Sequence, residues 1–354
     1  MPSMILFRAD AGAAIGAGHV MRCLALAEAV QDMGFNAGFL SAALPPALEE
    51  RLRAAGMAVH RIGAEPGSGD DLAATVAVLR KSGAAAIVVD GYRFGADWRA
   101  GLAEAGVAVL AFDDAGTGEP LHAGLIVNAA PDAARLPYRP GNPDATLLLG
   151  PAYAPLRREV RRAASGAKAP LPERRALLVT FGGSDPLGLT APVMLRLADA
   201  LPRELRIDVA VGGAAANADD VEQAARPLGG RVRVHRDTPR MGELMAGAGL
   251  AVSAAGTTTA ELAAIGTPAV LVTIAGNQDE AARQSEALGW CRLVDGRSPD
   301  APDRIAGAAA ALWADPLLRV AMAARLAGIV DGQGAVRIAE ALAGHLAEGS
   351  LTAR

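Results

Sequence analysis

The chain has 354 residues, 51% hydrophobic and 20% charged, with a formal net charge of −4, which suits roughly two globular domains with ample core. A pI of about 5.8 and no long basic block argue against a nucleic-acid partner. No apolar run reaches the roughly 18 residues of a membrane span and no basic leader precedes one, so a cytoplasmic monomer without membrane insertion is expected.

The first stretch with chemical character is Arg8 to Leu26, RADAGAAIGAGHVMRCLAL. A short apolar run, Met4-Ile5-Leu6-Phe7, enters it as a buried strand, and glycines follow at 12, 16 and 18. Val20, Cys23, Leu24, Ala27 and Val30 then recur at helical spacing, which gives that helix one apolar face. His19 and Arg22 fall on its first turn. A helix start offers unpaired N–H groups, and glycine lets a ligand approach them. The dinucleotide fingerprint fails at Met21, and no Gly-Lys-Ser/Thr of a Walker loop occurs. What remains is Gly16-x-Gly18-His19-x-x-Arg22, with two readings open: a ligand loop, or a tight turn in which His19 is a cap.

Apolar runs alternate with helical stretches through the rest of the first half. Strands are expected near 4–8, 36–41, 57–62, 86–90, 107–112, 124–128 and 146–149, with helices such as 46–55, 71–81 and 96–105 between them. This alternation predicts a parallel sheet with helices on both faces. Chemistry in such sheets gathers at the carboxyl ends of strands. Those ends carry Asp90-Gly91-Tyr92, Asp113-Asp114 and Asn128; helix capping is the competing role for Asp90 and Asp114. The basic run Arg157, Arg158, Arg161 and Arg162 reads as a solvated helix face. A Pro- and Ala-rich linker at 165–173 marks the domain boundary.

The second half repeats the grammar, with strands near 176–181, 205–211, 231–235, 248–253, 268–273 and 291–294. Three strand-to-helix junctions stand out: Gly182-Gly183-Ser184, Gly256-Thr257-Thr258-Thr259 followed by Glu261, and Gly276-Asn277-Gln278. The first two are suited to phosphate, with backbone N–H groups and hydroxyls together. Caps need one hydroxyl, not three in a row. Cys23 and Cys291 make no disulfide framework and match no metal spacing, and His60, His122, His235 and His345 read as structural or solvated.

From Arg8 to about Ile338 the motif order resembles one known family. RADAGAAIGAGHVMRCLALA, VVDGYRFGADW, FDDA, GPAYAPLRREV, LVTFGGSDPLGLT, AAGTTTAELAAIGTPAVLV, AGNQ and DGQGAVRI follow in the order found in PseG-type hydrolases of UDP-2,4-diacetamido-2,4,6-trideoxy-β-L-altropyranose, which serve pseudaminic acid biosynthesis. That family is similar to the MurG-like glycosyltransferases. The resemblance implies α/β architecture of the GT-B kind, two facing Rossmann-like parallel-sheet domains with an interdomain cleft. It implies an N-terminal domain at 1–165, a UDP-binding domain at 173–335, and a C-terminal helix at 336–354 crossing back to the first.

The resemblance also implies roles. His19 corresponds to the catalytic histidine, beside Gly16 and Gly18. Gly182, Gly183, Ser184, Gly256, Thr257 and Thr258 correspond to the diphosphate loops, Glu261 to the ribose-binding glutamate, and Met241 to the segment against uracil. Asn277 and Gln278 lie on the sugar and phosphate side, with Asp90, Tyr92 and Asp114 as further substrate contacts. Arg8 and Asp10 are expected to orient His19 or bind the sugar's amides. Gly91 departs from the family, whose members usually carry a polar residue there, and this leaves the sugar open. The expected reaction is inverting attack of water at the anomeric carbon with UDP leaving. His19 acts as general base, with no cofactor, and Asp113-Asp114, adjacent on a strand end, make a poor metal site. An inverting GT-B glycosyltransferase and a non-catalytic nucleotide-sugar binder are the alternatives.

Overall fold

A computed structural model of the chain describes residues 3–12 and 15–352, with side chains described through residue 348. Among the described residues, thirteen strands form two sheets. The first holds β1 (Met4–Ala9), β2 (Asn36–Ser41), β3 (Ala58–Arg61), β4 (Ala86–Asp90), β5 (Ala108–Phe112), β6 (Leu125–Asn128) and β7 (Thr146–Leu149). Their order is β3-β2-β1-β4-β5-β6-β7, and every pairing is parallel. The second holds β8 (Ala176–Thr180), β9 (Arg206–Val211), β10 (Val232–Arg236), β11 (Ala248–Ala254), β12 (Ala269–Thr273) and β13 (Cys291–Asp295). Its order is β10-β9-β8-β11-β12-β13, again parallel throughout.

The strands follow from composition. β4 (AIVVD) and β11 (AGLAVSA) are buried along their whole length, so they read as continuous apolar runs and not as alternation. The intervening helices cover both faces with Ala, Leu and Val. In the second sheet, for example, Val193, Met194, Leu197, Ile305, Ala309 and Leu312 join the core from two helices.

In each sheet the strand order reverses direction once. The reversal lies between β1 and β4 in the first sheet and between β8 and β11 in the second. A parallel sheet opens a crevice at that switch point, outside the carboxyl ends of the two central strands. The Gly16–His19 loop follows β1 and Asp90 ends β4; Gly182–Ser184 follows β8 and Gly256–Thr258 follows β11.

The chain divides into two compact units: Met1–Gly12, His19–Arg158 and Gln333–Arg354 in one, Ala13–Gly18 and Glu159–Gly332 in the other. The passage at residues 158 and 159 precedes the proline-rich linker. The physical reason is Glu159, whose Oε2 accepts from Gly242 N at 2.8 Å, so the helix Arg158–Ser165 packs with the second unit. Arg158 itself faces the first unit, donating to Asp32 at 2.7 Å and to the Glu28 carbonyl at 3.1 Å.

The helix Gly334–Thr352 belongs to the first unit. Gly334 lies so close to the Ala154 backbone that a Cβ would meet its oxygen at 2.2 Å, and Arg337 donates to the Ala152 carbonyl at 2.9 Å. Among the described residues, no single helix is long and apolar enough to cross a membrane.

Candidate active site

His19 sits in the first turn of the helix Gly18–Asp32, directly after the glycine loop, and is 7% exposed. Gly16 takes φ +78°, a left-handed conformation that lets the chain turn from strand to helix. His19 Nδ1 donates to Asp90 Oδ1 at 2.7 Å. Asp90 is the last residue of β4 and is wholly buried, paired in register with Ala9 of β1. The β1–β4 pairing therefore brings together two residues 71 positions apart in the sequence. Asp90 does not cap the next helix, whose N-cap is Gly95.

Arg22, one helical turn after His19, ties the group together. Its Nε and Nη2 donate to the two Asp90 oxygens at 2.6 and 2.7 Å, and its Nη1 and Nη2 donate to Asp114 at 2.7 and 3.0 Å. Tyr92, 61% exposed, donates its hydroxyl to Asp114 at 2.8 Å, and its ring meets the His19 ring edge-on at 4.8 Å. Burial alone would push the Asp90 pKa up. The charges of Arg22 and His19 and their hydrogen bonds outweigh that and hold the carboxyl well below the usual carboxylate range. Asp114 is lowered in the same way: burial raises it, and the Arg22 guanidinium more than offsets this.

Because Asp90 is ionised and acceptor-only, the proton between it and His19 belongs to Nδ1. That leaves Nε2 as the nitrogen able to take a proton. An imidazole so oriented is the arrangement of a general base.

Arg8 and Asp10 are not brought to His19, contrary to expectation. Arg8 is 0% exposed and is spent on Asp71 and Asp10, while Asp10 accepts from the Ala42 and Ala43 N–H groups at 2.7 and 3.0 Å. A guanidinium with no exposed surface cannot meet a sugar. The residue that orients His19 is Asp90, and the sequence reading missed the part played by Arg22. Its signal was present in the i, i+3 spacing from His19, which puts both on one helix face. Gly91 has φ +152°, and a Cβ there would meet the Phe94 ring at 2.9 Å, so the bare backbone has a local structural reason.

In the second unit the two phosphate-suited junctions differ. After β8, Gly182 turns at φ +79° and Ser184 is buried, but Asp185 already occupies the following helix start. Its carboxylate accepts from the Leu189 and Thr190 N–H groups at 2.9 and 3.0 Å and from Asn217 at 2.7 Å. A carboxylate therefore already meets the N–H groups at this helix end and offsets its positive end. Gly182, Gly183 and Ser184 retain only the backbone and hydroxyl of the turn.

After β11 the helix Thr258–Ile265 has Thr257 as N-cap with no side-chain cap bond, and Gly256 and Thr257 are exposed. Glu261, on the first turn, is 7% exposed. Gln278 turns its Oε1 to the Ile274 N–H at 3.0 Å, which shapes the loop before the helix Asp279–Ala287, and Asn277 is exposed beside it. Met241 begins the helix Met241–Gly247 and is nearly buried. His235 pairs with Asp208 at 3.0 Å.

The comparisons with known proteins bear on both units. Residues 178–327 match the Glycosyltransferase family 28 C-terminal domain. The chain is 35% identical over 234 residues to the UDP-N-acetylglucosamine--N-acetylmuramyl-(pentapeptide) pyrophosphoryl-undecaprenol N-acetylglucosamine transferase of Methylobacterium radiotolerans, covering 61% of this chain and 58% of that protein. It is 21% identical over 269 residues to uncharacterized protein MJ1062 of Methanocaldococcus jannaschii, covering 74% of this chain and 54% of that protein. The chain thus spans little more than half the length of these two curated relatives.

Among solved structures, Acinetobacter baumannii MurG matches with TM-score 0.61 and 16% identity over 96% of this chain and 99% of that one. The spinosyn forosaminyltransferase SpnP matches with TM-score 0.67 and 15% identity over 98% and 99%. The fold is GT-B. The GT-B description accounts for two parallel sheets each with its switch point lined by glycine loops.

Proposed function

We propose that the protein is a UDP-sugar hydrolase of the PseG type. It releases UDP from UDP-2,4-diacetamido-2,4,6-trideoxy-β-L-altropyranose by inverting attack of water at the anomeric carbon. The observation that carries the reading is the His19–Asp90 pair at the β1–β4 switch point. In the reaction His19 Nε2 takes a proton from water, the water oxygen bonds to the anomeric carbon, and the bond to the β-phosphate oxygen breaks with its electron pair on UDP. A base so placed contributes about 10²–10⁴-fold. The second unit supplies the nucleotide-side groups. The start of Thr258–Ile265 with Gly256, Thr257 and Thr258 favours the charge that grows on the departing diphosphate. Glu261 binds the ribose hydroxyls, Met241 lies by the uracil, and Gly182–Ser184, Asn277 and Gln278 complete the diphosphate and sugar side. The motif order from Arg8 to about Ile338 supports water as the acceptor.

A second reading, an inverting glycosyltransferase, is favoured by the family 28 match over 178–327 and by the relative that is an N-acetylglucosamine transferase. The two differ in the nucleophile alone. Incubation with a panel of UDP-diacetamido-trideoxyhexoses and UDP-N-acetylglucosamine in ¹⁸O-water, without acceptor, separates them. Hydrolysis gives free UDP and label in the sugar, both lost in His19→Asn. Release of UDP only when an acceptor hydroxyl is added assigns the transferase. Binding with no turnover of any kind overturns both.

A further inference from the structure

We propose that Arg22 and Asp114 are positioning residues for His19, holding the base through a closed circuit of five side chains and not through substrate. The proposal rests on the reading of His19 as the base, and deepens it. Around the circuit, His19 donates to Asp90, Arg22 donates to both Asp90 oxygens and to both Asp114 oxygens, Tyr92 donates to Asp114, and the Tyr92 ring closes on the imidazole edge. The members come from the helix Gly18–Asp32, the end of β4 and the turns after β4 and β5. Among the described residues, the charged or titratable groups around the imidazole include these four, with Arg22 Nη2 3.3 Å from Nδ1, and Cys23, whose thiol points to Asp90 Oδ2 at 3.7 Å.

A carboxylate bonded to His19 alone could turn about its own side-chain bond and carry the imidazole with it. The Arg22 fork meets both Asp90 oxygens and fixes that plane. The guanidinium is itself pinned, because its Nη1 and Nη2 reach Asp114 and its Cζ lies 5.0 Å over the Phe112 ring. Only a planar five-donor group can serve two carboxylates in this way; an ammonium cannot. The Tyr92 hydroxyl proton is consequently engaged with Asp114, and Asp114 with Arg22 as well. Both were expected as substrate contacts, and the geometry makes Asp114 a second anchor for the fork.

The test uses the full chain and two readouts. The first is a ¹H,¹⁵N spectrum of histidine-labelled protein, in which the Nδ1 proton held by Asp90 gives a downfield resonance, assigned by its absence in His19→Asn. The second is turnover of the UDP-sugar. In Arg22→Gln the resonance is expected to be lost, with kcat down about 100-fold and KM held within about 3-fold. Arg22→Lys, which can reach one carboxylate but not both, is expected to fall between. Asp114→Asn, at the exposed end where folding is not at risk, is expected to broaden the resonance and lower kcat about 10-fold.

A wild-type resonance and kcat in Arg22→Gln and Asp114→Asn overturn the proposal. So does a loss confined to KM, which would make Asp114 a substrate contact. If wild-type protein shows the resonance, Arg22→Gln loses it and no UDP-sugar turns over, the positioning role stands and the hydrolase reading falls.

Discussion

Arg8 meets Asp71 side-on: its Nε and Nη2 each lie 3.1 Å from one carboxylate oxygen, and neither residue has any exposed surface. The pair joins the end of β1 to the first turn of the helix Gly69–Ser82, and Asp10 and the Phe94 ring complete the guanidinium's surroundings. Asp71→Asn breaks this fork and leaves Asp10 as the ionic partner of Arg8. It is expected to lower unfolding free energy by roughly 1.5–3 kcal/mol, the cost of a lost charged hydrogen bond, read from urea or guanidinium denaturation. The variant that still folds should keep the His19–Asp90 resonance, because this cluster supports the strand and does not touch the base.

Asp185 provides a second stability prediction, at the helix start where a diphosphate was expected. Asp185→Ala frees the Leu189 and Thr190 N–H groups and the Asn217 amide. Loss of such a cap costs about 1–2 kcal/mol. The same change removes a negative charge beside Gly182–Ser184, so UDP affinity measured by calorimetry should stay level or rise. A fall in affinity with unchanged stability would mean that Asp185 itself contacts the nucleotide.

Most of the scaffold was legible because fully buried parallel strands leave a strong trace. Runs such as AIVVD and ALLVT are short, β-branched and bounded by glycine or aspartate, and each became a strand within a residue or two of the expected ends. His19 and Asp90 could be picked separately, as strand-end and loop residues. Their partnership could not, because it depends on β1 and β4 being neighbours, and strand order is a long-range property. The same blindness explains Arg8 and Asp10. They precede the glycine loop in sequence, yet β1 points Arg8 toward Asp71, 63 positions away. Asp185 was passed over because Asp-Pro after a glycine turn reads as loop grammar, and only the fold shows which N–H groups its carboxylate reaches.

Gly91 offers a test of backbone geometry in the site. At φ +152° a side chain is strained, and a Cβ would press on Phe94 Cε2 at 2.9 Å. Phe94 in turn packs at a tilt against Trp98 and covers Arg8, so it has little freedom to yield. Gly91→Ser is therefore expected to shift the chain between Asp90 and Tyr92. The measured outcome should be a loss of turnover of about 10-fold or more, since small misplacement of catalytic groups is costly, together with a lower melting temperature. Ordinary activity in Gly91→Ser would show that the turn relaxes and that a side chain can point at substrate there.

The ionisation of Asp90 fixes how its contribution to stability depends on pH. The unfolded carboxyl titrates near ~3.9, and the folded one is held well below that by Arg22 and His19 against the opposing effect of burial. A group whose folded pKa is depressed stabilises fully above the unfolded value. That stabilisation is lost as pH falls toward the folded value, because the unfolded chain then binds a proton that the native chain refuses. The difference in unfolding free energy between wild type and Asp90→Asn should therefore not shrink between pH 7 and pH 5, and should shrink at about pH 4 and below. Denaturant melts at pH 7, 5 and 3.5 measure it directly. A difference that does not shrink at pH 3.5 would mean that burial wins over Arg22 and that the native chain holds Asp90 protonated. The tautomer of His19 would then be unassigned, and with it the nitrogen that takes the proton from water.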